Sequence, residues 1–539
     1  MKNRAAATTI SVLSIALLTA WWTTTSHDSS PAAAESLCTL TIELVEAESG
    51  RLTTGLIRIT TQDGKSLELK GLQSRGMGMK PKNLPIYSWW VVDGRAVLQV
   101  PQKELVVEAF RGIETVKSTT RIYLGGLGRA TARVELHRFH DAAADGYHSG
   151  NTHLHLMKLT RDQSDRYLAE IPRADDLDIL FVSYLERVID DREYITNFYT
   201  QADFDRLSGR GLIICNGEEH RNNFSGYGEG FGHVMFLKLQ QLVLPVSIGP
   251  GIMKAGTDRV PLQMGIDNAR SQGATVVWCH NEYGLEDLPN LISDRLDAQN
   301  IFDGSINSSY KDTFYRYLNM GLHVPFSTGT DWFIYDFSRV YVKLSGPLTL
   351  DKWLEGLAAG RTYITNGPHL DLRVGEAEVG DTIDVQEPTT LKLVGRVTSR
   401  DDFGRVEVIR NGEVIAQVES EKKKGHYVAH VDEVIEVRES CWLAIRTPPP
   451  PLNRAVSEDV FVHEFGGPLF SHTSPVYVDY QGKGVFEATI VKGMVTEIEK
   501  NITAITEHGS FANVEDRERV LDVHRQALDT LRNLPQPQD

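Results

Sequence analysis

Between residues 37 and 138 apolar and polar positions alternate with a period of two in short runs. TLTIELVEA (39–47), GLIRITTQDG (55–64), RAVLQVP (95–101), ELVVEAFRG (104–112) and ATARVELHRF (130–139) are the clearest. They are rich in β-branched residues and separated by turn residues at fairly even spacing, which predicts a small β-sandwich over 35–140. HDAAADGYHSG (140–150) closes it as a linker. From 146 to 370 the pattern changes. Apolar runs, LDILFVSYL (177–185), GLIICNG (211–217), VLPVSIG (243–249), GATVVWCH (273–280) and LHVPFSTGTD (322–331), alternate with longer amphipathic stretches. The latter include VPLQMGIDNARSQG (260–273) and SSYKDTFYRYLNMG (308–321). Strand–helix alternation predicts an α/β unit with a largely parallel sheet or barrel.

From 371 to 482 strand-like runs return, with a hairpin signal at Asn411-Gly412, and a second β-sandwich is predicted there. TPPPPLNR (447–454) reads as a rigid loop. GRTYITNGP (360–368) reads either as a pocket rim or as a cap joining the central unit to the last sandwich. Residues 483–539 read as one or two amphipathic helices ending in a frayed tail after Pro535. The fold class is therefore multidomain, α/β plus all-β. A length of 539 residues agrees, being too long for one ordinary domain.

The first 34 residues break this pattern. Lys2 and Arg4 precede an apolar stretch from Ile10 to Trp22, followed by small residues around Ala32-Ala33-Ala34. That order is an export signal, which predicts a periplasmic or extracellular protein without stable membrane insertion once the signal is cleaved. The stretch is shorter than the roughly 20 residues a membrane span needs, and an uncleaved anchor is the alternative. A formal net charge of −16 with no long basic run argues against a nucleic-acid partner and otherwise reports solubility; the partner expected, should the chain be an enzyme, is a small-molecule substrate. The four cysteines, Cys38, Cys215, Cys279 and Cys441, have no paired spacing. Cys215 and Cys279 end apolar runs and read as small buried hydrophobes. Oligomeric state is not encoded in any of these patterns.

Candidate chemistry concentrates in the middle region. In Thr152-His153-Leu154-His155 the two histidines lie two apart, so in a strand they share a face and can hold one ion together. Glu218 and Glu219 follow GLIICNG, His280 ends GATVVWCH, and Asp331 follows VPFSTGT. In an α/β barrel the segments after the strands gather at one end, where a site is built. His233 precedes its apolar run, HVMFLKL, instead. Histidine, glutamate and aspartate at strand ends form a donor set for a divalent ion.

The order H-x-H, G-x-E, G-H, lone His, G-T-D resembles the PHP (polymerase and histidinol phosphatase) superfamily. More closely, it looks like the carbaryl-hydrolase-like (CehA/McbA) metallohydrolases. The stretches that carry the likeness are GYHSGNTHLHLMK, NGEEHRNNFSGYGEGFGHVMFL, WCHNE, FSTGTDW, LAAGRTYITNGPHLDLRVGE and SHTSPVYV, spanning 146–478. The resemblance implies a distorted PHP-type (β/α) barrel over 146–370, flanked by the two sandwiches. It also implies a two-ion centre. His153, His155 and Asp331 would hold one ion, His233 and His280 the other, and Glu219, with Glu218 as fallback, would bridge them. The ions would be zinc, with manganese or iron as alternatives. Where relatives carry further histidines for a third ion, this chain has Tyr184-Leu185, Trp332-Phe333 and LMKLTRDQ, so a third ion is not expected. Asn151 replaces the aspartate of the relatives' GDTH.

The activity implied is hydrolysis of an ester, carbamate or amide by a metal-bound hydroxide, with Glu219 and Asp331 as the catalytic carboxylates. A phosphoesterase is the alternative, and a non-catalytic extracellular binding protein the third reading. Lys158, Arg192, Tyr227 and Trp332 are candidates to line the pocket.

Overall fold

The structure, a computed structural model, describes residues 36–187, 193–224, 230–253, 256–280 and 284–534. The export segment over 1–34, the tail from Pro535, Arg192 and Tyr227 lie outside the described residues. The fold is mixed α/β with several sheets. No helix among the described residues is long and apolar enough to cross a membrane.

The N-terminal region forms two sheets. One orders strands Arg95–Pro101, Leu37–Glu46 and Arg129–Leu136; the other contains Trp90–Asp93, Thr54–Thr61, Glu104–Phe110 and Ser118–Tyr123. Alternate residues of both, among them Leu40, Ile42, Ile57, Ile59, Leu98 and Val107, share one buried apolar cluster. That is why the period of two was so clear there. Arg75 joins this region to the next: its guanidinium is buried and lies 2.5 Å from the buried Asp175 carboxylate.

The central sheet runs in the order Phe326–Ser327, Ala298–Asn300, Thr275–Cys279, Gly232–Leu237, Ile213–Asn222, Ile179–Tyr184, Tyr147–Asn151, Arg339–Lys343 and Thr362–Thr365. Parallel pairing joins Tyr147–Asn151 to Ile179–Tyr184 and that strand to Ile213–Asn222. Gly232–Leu237 then pairs antiparallel on both sides. The sheet is mixed, where a largely parallel one was expected, because consecutive strands separated by few residues, Ile213–Asn222 and Gly232–Leu237, pair antiparallel, as do Arg339–Lys343 and both its neighbours. The amphipathic stretch over 260–273 forms the helix Leu262–Ser271. The one over 308–321 is helical only across Phe314–Leu318.

The C-terminal strands divide between two sheets: Ala377–Glu378, His369–Val374, Thr389–Ser399, His426–Val437 and Glu421–Lys423 form one of their own, and the others extend the central sheet. Thr362–Thr365 is fully buried and pairs with Ser471–Thr473, so the central sheet continues into Cys441–Arg446, Arg405–Arg410 and Glu413–Glu419. A buried strand cannot leave its edge unpaired without losing backbone hydrogen bonds. Sheet pairing therefore crosses the boundary expected at 370. GRTYITNGP serves as that joint: the Asn366 side chain bonds the backbone of Pro468 and Phe470. The Asn411-Gly412 hairpin is present, with both residues at positive φ (50° and 90°), as a tight hairpin turn requires. The last residues form two helices, Ala488–His508 and Val514–Arg532, whose Ile498, Ile505, Leu521 and Leu528 join the central core. Each such side chain contributes about 1.5–3 kcal/mol when fully buried.

One buried carboxyl ties this core to pH. Helix Leu262–Ser271 begins at Pro261 without a side-chain cap of its own. Glu286 supplies one from another segment, accepting from Leu262 N and Gln263 N at 3.1 Å each. Burial pushes its carboxyl up to about 7 from an ordinary 4.5, against the pull of these amides. The folded state therefore keeps a proton that the unfolded chain releases. The resulting stability is fully present below pH 4.5 and is lost as pH rises to about 7, a total of about 3 kcal/mol. Glu286→Gln stays neutral throughout. Denaturant titrations of metal-free protein should show the variant gaining on the wild type across that window; a pH-independent difference would refute the assignment.

Candidate metal centre

The H-x-H segment is fixed before any metal is considered. Strand Leu154–His155 pairs in parallel with Asp331–Trp332. Thr330 N and Asp331 N both donate to the His153 carbonyl, at 3.0 and 2.9 Å. Gly329 permits this approach: a Cβ there would lie 2.6 Å from His153 Cβ. The two imidazoles face one another with their Nε2 atoms 2.9 Å apart. Nitrogens bound to one zinc at about 2.0–2.1 Å cannot be more than about 4.2 Å apart, so this pair suits chelation of a single ion.

Register brings the remaining groups alongside. Arg221 lies opposite His233, and His233 opposite Cys279, across three neighbouring strands. Glu219 is two residues before Arg221 and shares its face. Its carboxylate spans the cluster. Oε2 lies 2.9 Å from His155 Nε2 and 3.8 Å from His153 Nε2. Oε1 lies 3.0 Å from His233 Nδ1 and 3.8 Å from His280 Nε2, and accepts from Arg221 Nη1 at 3.2 Å. Asp331 Oδ1 is 3.6 Å from His153 Nε2 and 3.9 Å from His155 Nε2. All six sequence-derived residues thus meet in one place.

Glu218 points away. It is buried, with Oε1 3.1 Å from His220 Nδ1, and Oε2 accepts from Val243 N. That separates the two glutamates, which the sequence left as alternatives. Trp332 stands beside His155 (ring centroids 5.2 Å apart) and Tyr194 (5.6 Å), with the Arg187 guanidinium over its face. Lys158 is largely exposed and its ammonium faces Glu193 at 3.3 Å.

Each imidazole is held by the nitrogen that faces outward. His155 Nδ1 lies 3.1 Å from the Ser183 carbonyl, His153 Nδ1 2.6 Å from Asp303 Oδ2, and His280 Nδ1 3.1 Å from the Asp303 carbonyl. His233 is reversed: Nε2 lies 3.3 Å from Asn223 Oδ1 and Nδ1 faces Glu219. Anchoring the outer nitrogen fixes the tautomer and leaves the inner nitrogen free to donate its lone pair, which is how metal-binding histidines are held. His280 and Asp331 both sit at positive φ (67° and 55°), a conformation that costs energy outside glycine and recurs at functional sites.

The electrostatics suit cations. Burial disfavours a charged His153, but the adjacent Asp303, with Asp331 and Glu219, outweighs it and raises its pKa well above 6.5. His280 is pushed up to about 9 in the same way: burial opposes the charge and Glu219 and Asp303 win. Glu219 is held well below 4.5, burial being overcome by Arg221 and three histidines. Asp331 is raised, chiefly by burial.

Three groups of potential ligands lie within 4.8 Å of one another: His153, His155, Glu219 and Asp331; Glu219, His233, Cys279 and His280; and His153, His280 and Asp303. The buried side chains fit metal ions by number, donor type and spacing. Asp303, Arg221 and Cys279 were not singled out as site residues from the sequence. Asp303 follows the three-residue strand Ala298–Asn300, too short to register as an apolar run, though a strand-end position was its signal. Cys279 reaches the ligands as well as being buried, where the sequence suggested only a small hydrophobe. A polar cavity of about 600 Å³ lies elsewhere, lined by Arg111, Arg138, Glu114 and Asp176, and none of its lining residues belongs to the metal cluster.

No family model, curated protein or solved structure matches this chain.

Proposed function

We propose that this chain is an exported metal-dependent hydrolase of the PHP type that cleaves an ester, carbamate or amide bond at a two-ion centre. The central sheet would form the wall of a distorted barrel, with its ligands at the strand ends. One observation carries the reading: four imidazoles, each anchored by its outer nitrogen, converge on a single buried carboxylate. A satisfied structural core does not need four histidines pointed at one another.

Two divalent ions held there would activate water and polarise the oxygen of the scissile group. His153, His155, Asp331 and Glu219 Oε2 would hold one ion; His233, His280 and Glu219 Oε1 would hold the other. Arg221 keeps Glu219 ionised and oriented. Asp331, whose Oδ1 lies 3.6 Å from His153 Nε2 beside the first subsite, is the carboxylate placed to take a proton from water and pass it to the leaving group. Trp332, half-buried beside His155 and backed by the buried Tyr194, would border the substrate at this end of the site. Arg221 also favours a second reading, phosphoester hydrolysis, because a guanidinium beside the ions suits a phosphoryl group.

Metal content of the purified protein tests this directly. About two ions per chain are expected, with losses in both His153→Ala and His280→Ala. Ester, carbamate and phosphoester substrates would then separate the two readings. No bound metal, and no uptake from added zinc or manganese, would remove the hydrolase reading in favour of a binding protein.

A further inference from the structure

The two halves of the cluster are unequal in charge. The half built on His153 and His155 has two carboxylates, Asp331 and Oε2 of Glu219, with Asp303 behind. The half built on His233 and His280 has Oε1 of Glu219, shared with the Arg221 guanidinium at 3.2 Å, and beyond it only the more distant Asp303 Oδ2, 3.9 Å from His280 Nδ1. A divalent ion placed there would meet a neighbouring cation across one carboxylate oxygen. Two neutral imidazoles do not offset that, and an anionic side chain within reach would.

Cys279 is the side chain in position to be one. It ends strand Thr275–Cys279, lies opposite His233 in the sheet, and is fully buried. Its sulfur lies within 4.8 Å of the ligand atoms of Glu219, His233 and His280, and these lie equally close to one another. Metal–sulfur bonds of about 2.3 Å and metal–nitrogen bonds of about 2.0–2.1 Å place the donors of one tetrahedral ion roughly 3.5 Å apart, so these four would draw in by about an ångström or less to share one.

The geometry points to Cys279 as a thiolate ligand of the His233–His280 ion, making that subsite a sulfur-containing centre selective for zinc or cobalt over manganese or magnesium. The inference rests on the two-ion reading above. On binding, the thiol proton leaves to solvent as the sulfur–metal bond forms, and nothing is oxidised or reduced. Soft thiolate donors favour zinc and its congeners, whereas the carboxylate-rich half also accepts manganese or iron, so the two subsites differ in metal preference.

Titration of the metal-free, full-length protein with cobalt(II), followed by near-ultraviolet absorption, tests this. The expected result is thiolate-to-cobalt charge-transfer absorption as the second equivalent binds. Cys279→Ser should abolish the band and weaken the second ion by on the order of tenfold or more, with the first ion retained. Cys215→Ser, a buried cysteine outside the cluster, should keep the band, and circular dichroism of both variants checks folding. In the wild type alone, manganese should fill one subsite and zinc both. Two bound cobalt ions without the band, or a band that survives Cys279→Ser, overturns the inference while leaving the two-ion reading intact. A protein that takes up no cobalt, zinc or manganese loses both.

Discussion

Glu219→Gln is expected to lower metal content from about two ions per chain to one or fewer and to reduce hydrolysis roughly 10³-fold, since metal polarisation is worth several kcal/mol and 1.36 kcal/mol is tenfold. The amide keeps the side chain's size and one acceptor for Arg221, so the fold should survive. It removes the negative charge that both histidine sets face, Oε2 toward His155 and Oε1 toward His233. Among the described residues, Glu219 is the carboxylate that turns one oxygen to each histidine set. Glu218→Gln is the matched control. Its carboxyl faces His220 and Val243 N and shares nothing with the ligands, so metal content and activity should stay at wild-type levels. Atomic-emission analysis of the two variants side by side decides the matter. Two ions retained in Glu219→Gln, or lost in Glu218→Gln, would reverse the assignment of the bridge.

That contrast marks where sequence reasoning stops. Neighbouring residues on a strand face opposite ways, so a one-residue difference in register exchanges Glu218 and Glu219, and nothing local in NGEEH fixes the register. His153 and His155 were easier because two residues apart means one face in any strand. Asp303 escaped because its strand spans three residues, and Cys279 because burial and ligation look alike in an apolar run. The N-terminal sheets were legible since their strands have one buried face and one exposed face. The continuity of the central sheet with Cys441–Arg446 and Arg405–Arg410 was not, because strand pairing between distant segments leaves no periodic trace.

Asp303 carries the second large effect. Its Oδ2 lies 2.6 Å from His153 Nδ1 and accepts from Asn300 Nδ2, while its backbone carbonyl lies 3.1 Å from His280 Nδ1. One residue therefore supports a histidine of each subsite, one through its side chain and the other through its main chain. Substitution separates the two. Asp303→Asn removes the anionic acceptor behind His153 and leaves the carbonyl behind His280 in place. Loss of such a partner typically costs 10–100-fold in metal affinity, because the ligand imidazole becomes less basic and less well oriented. The expected result is that the ion bound by His153 and His155 weakens by roughly 10–100-fold, while the one bound by His233 and His280 weakens less, because His280 keeps its carbonyl partner and stands 3.9 Å from the lost charge. Competition with a chelator, reading the two ions separately, measures this. Equal weakening of both would mean that Asp303 acts on the fold as a whole, and no weakening of either would mean that the His153 contact is incidental. If only the first ion weakens, the asymmetry traces to the way a single aspartate divides its two acceptors between the two halves of the centre.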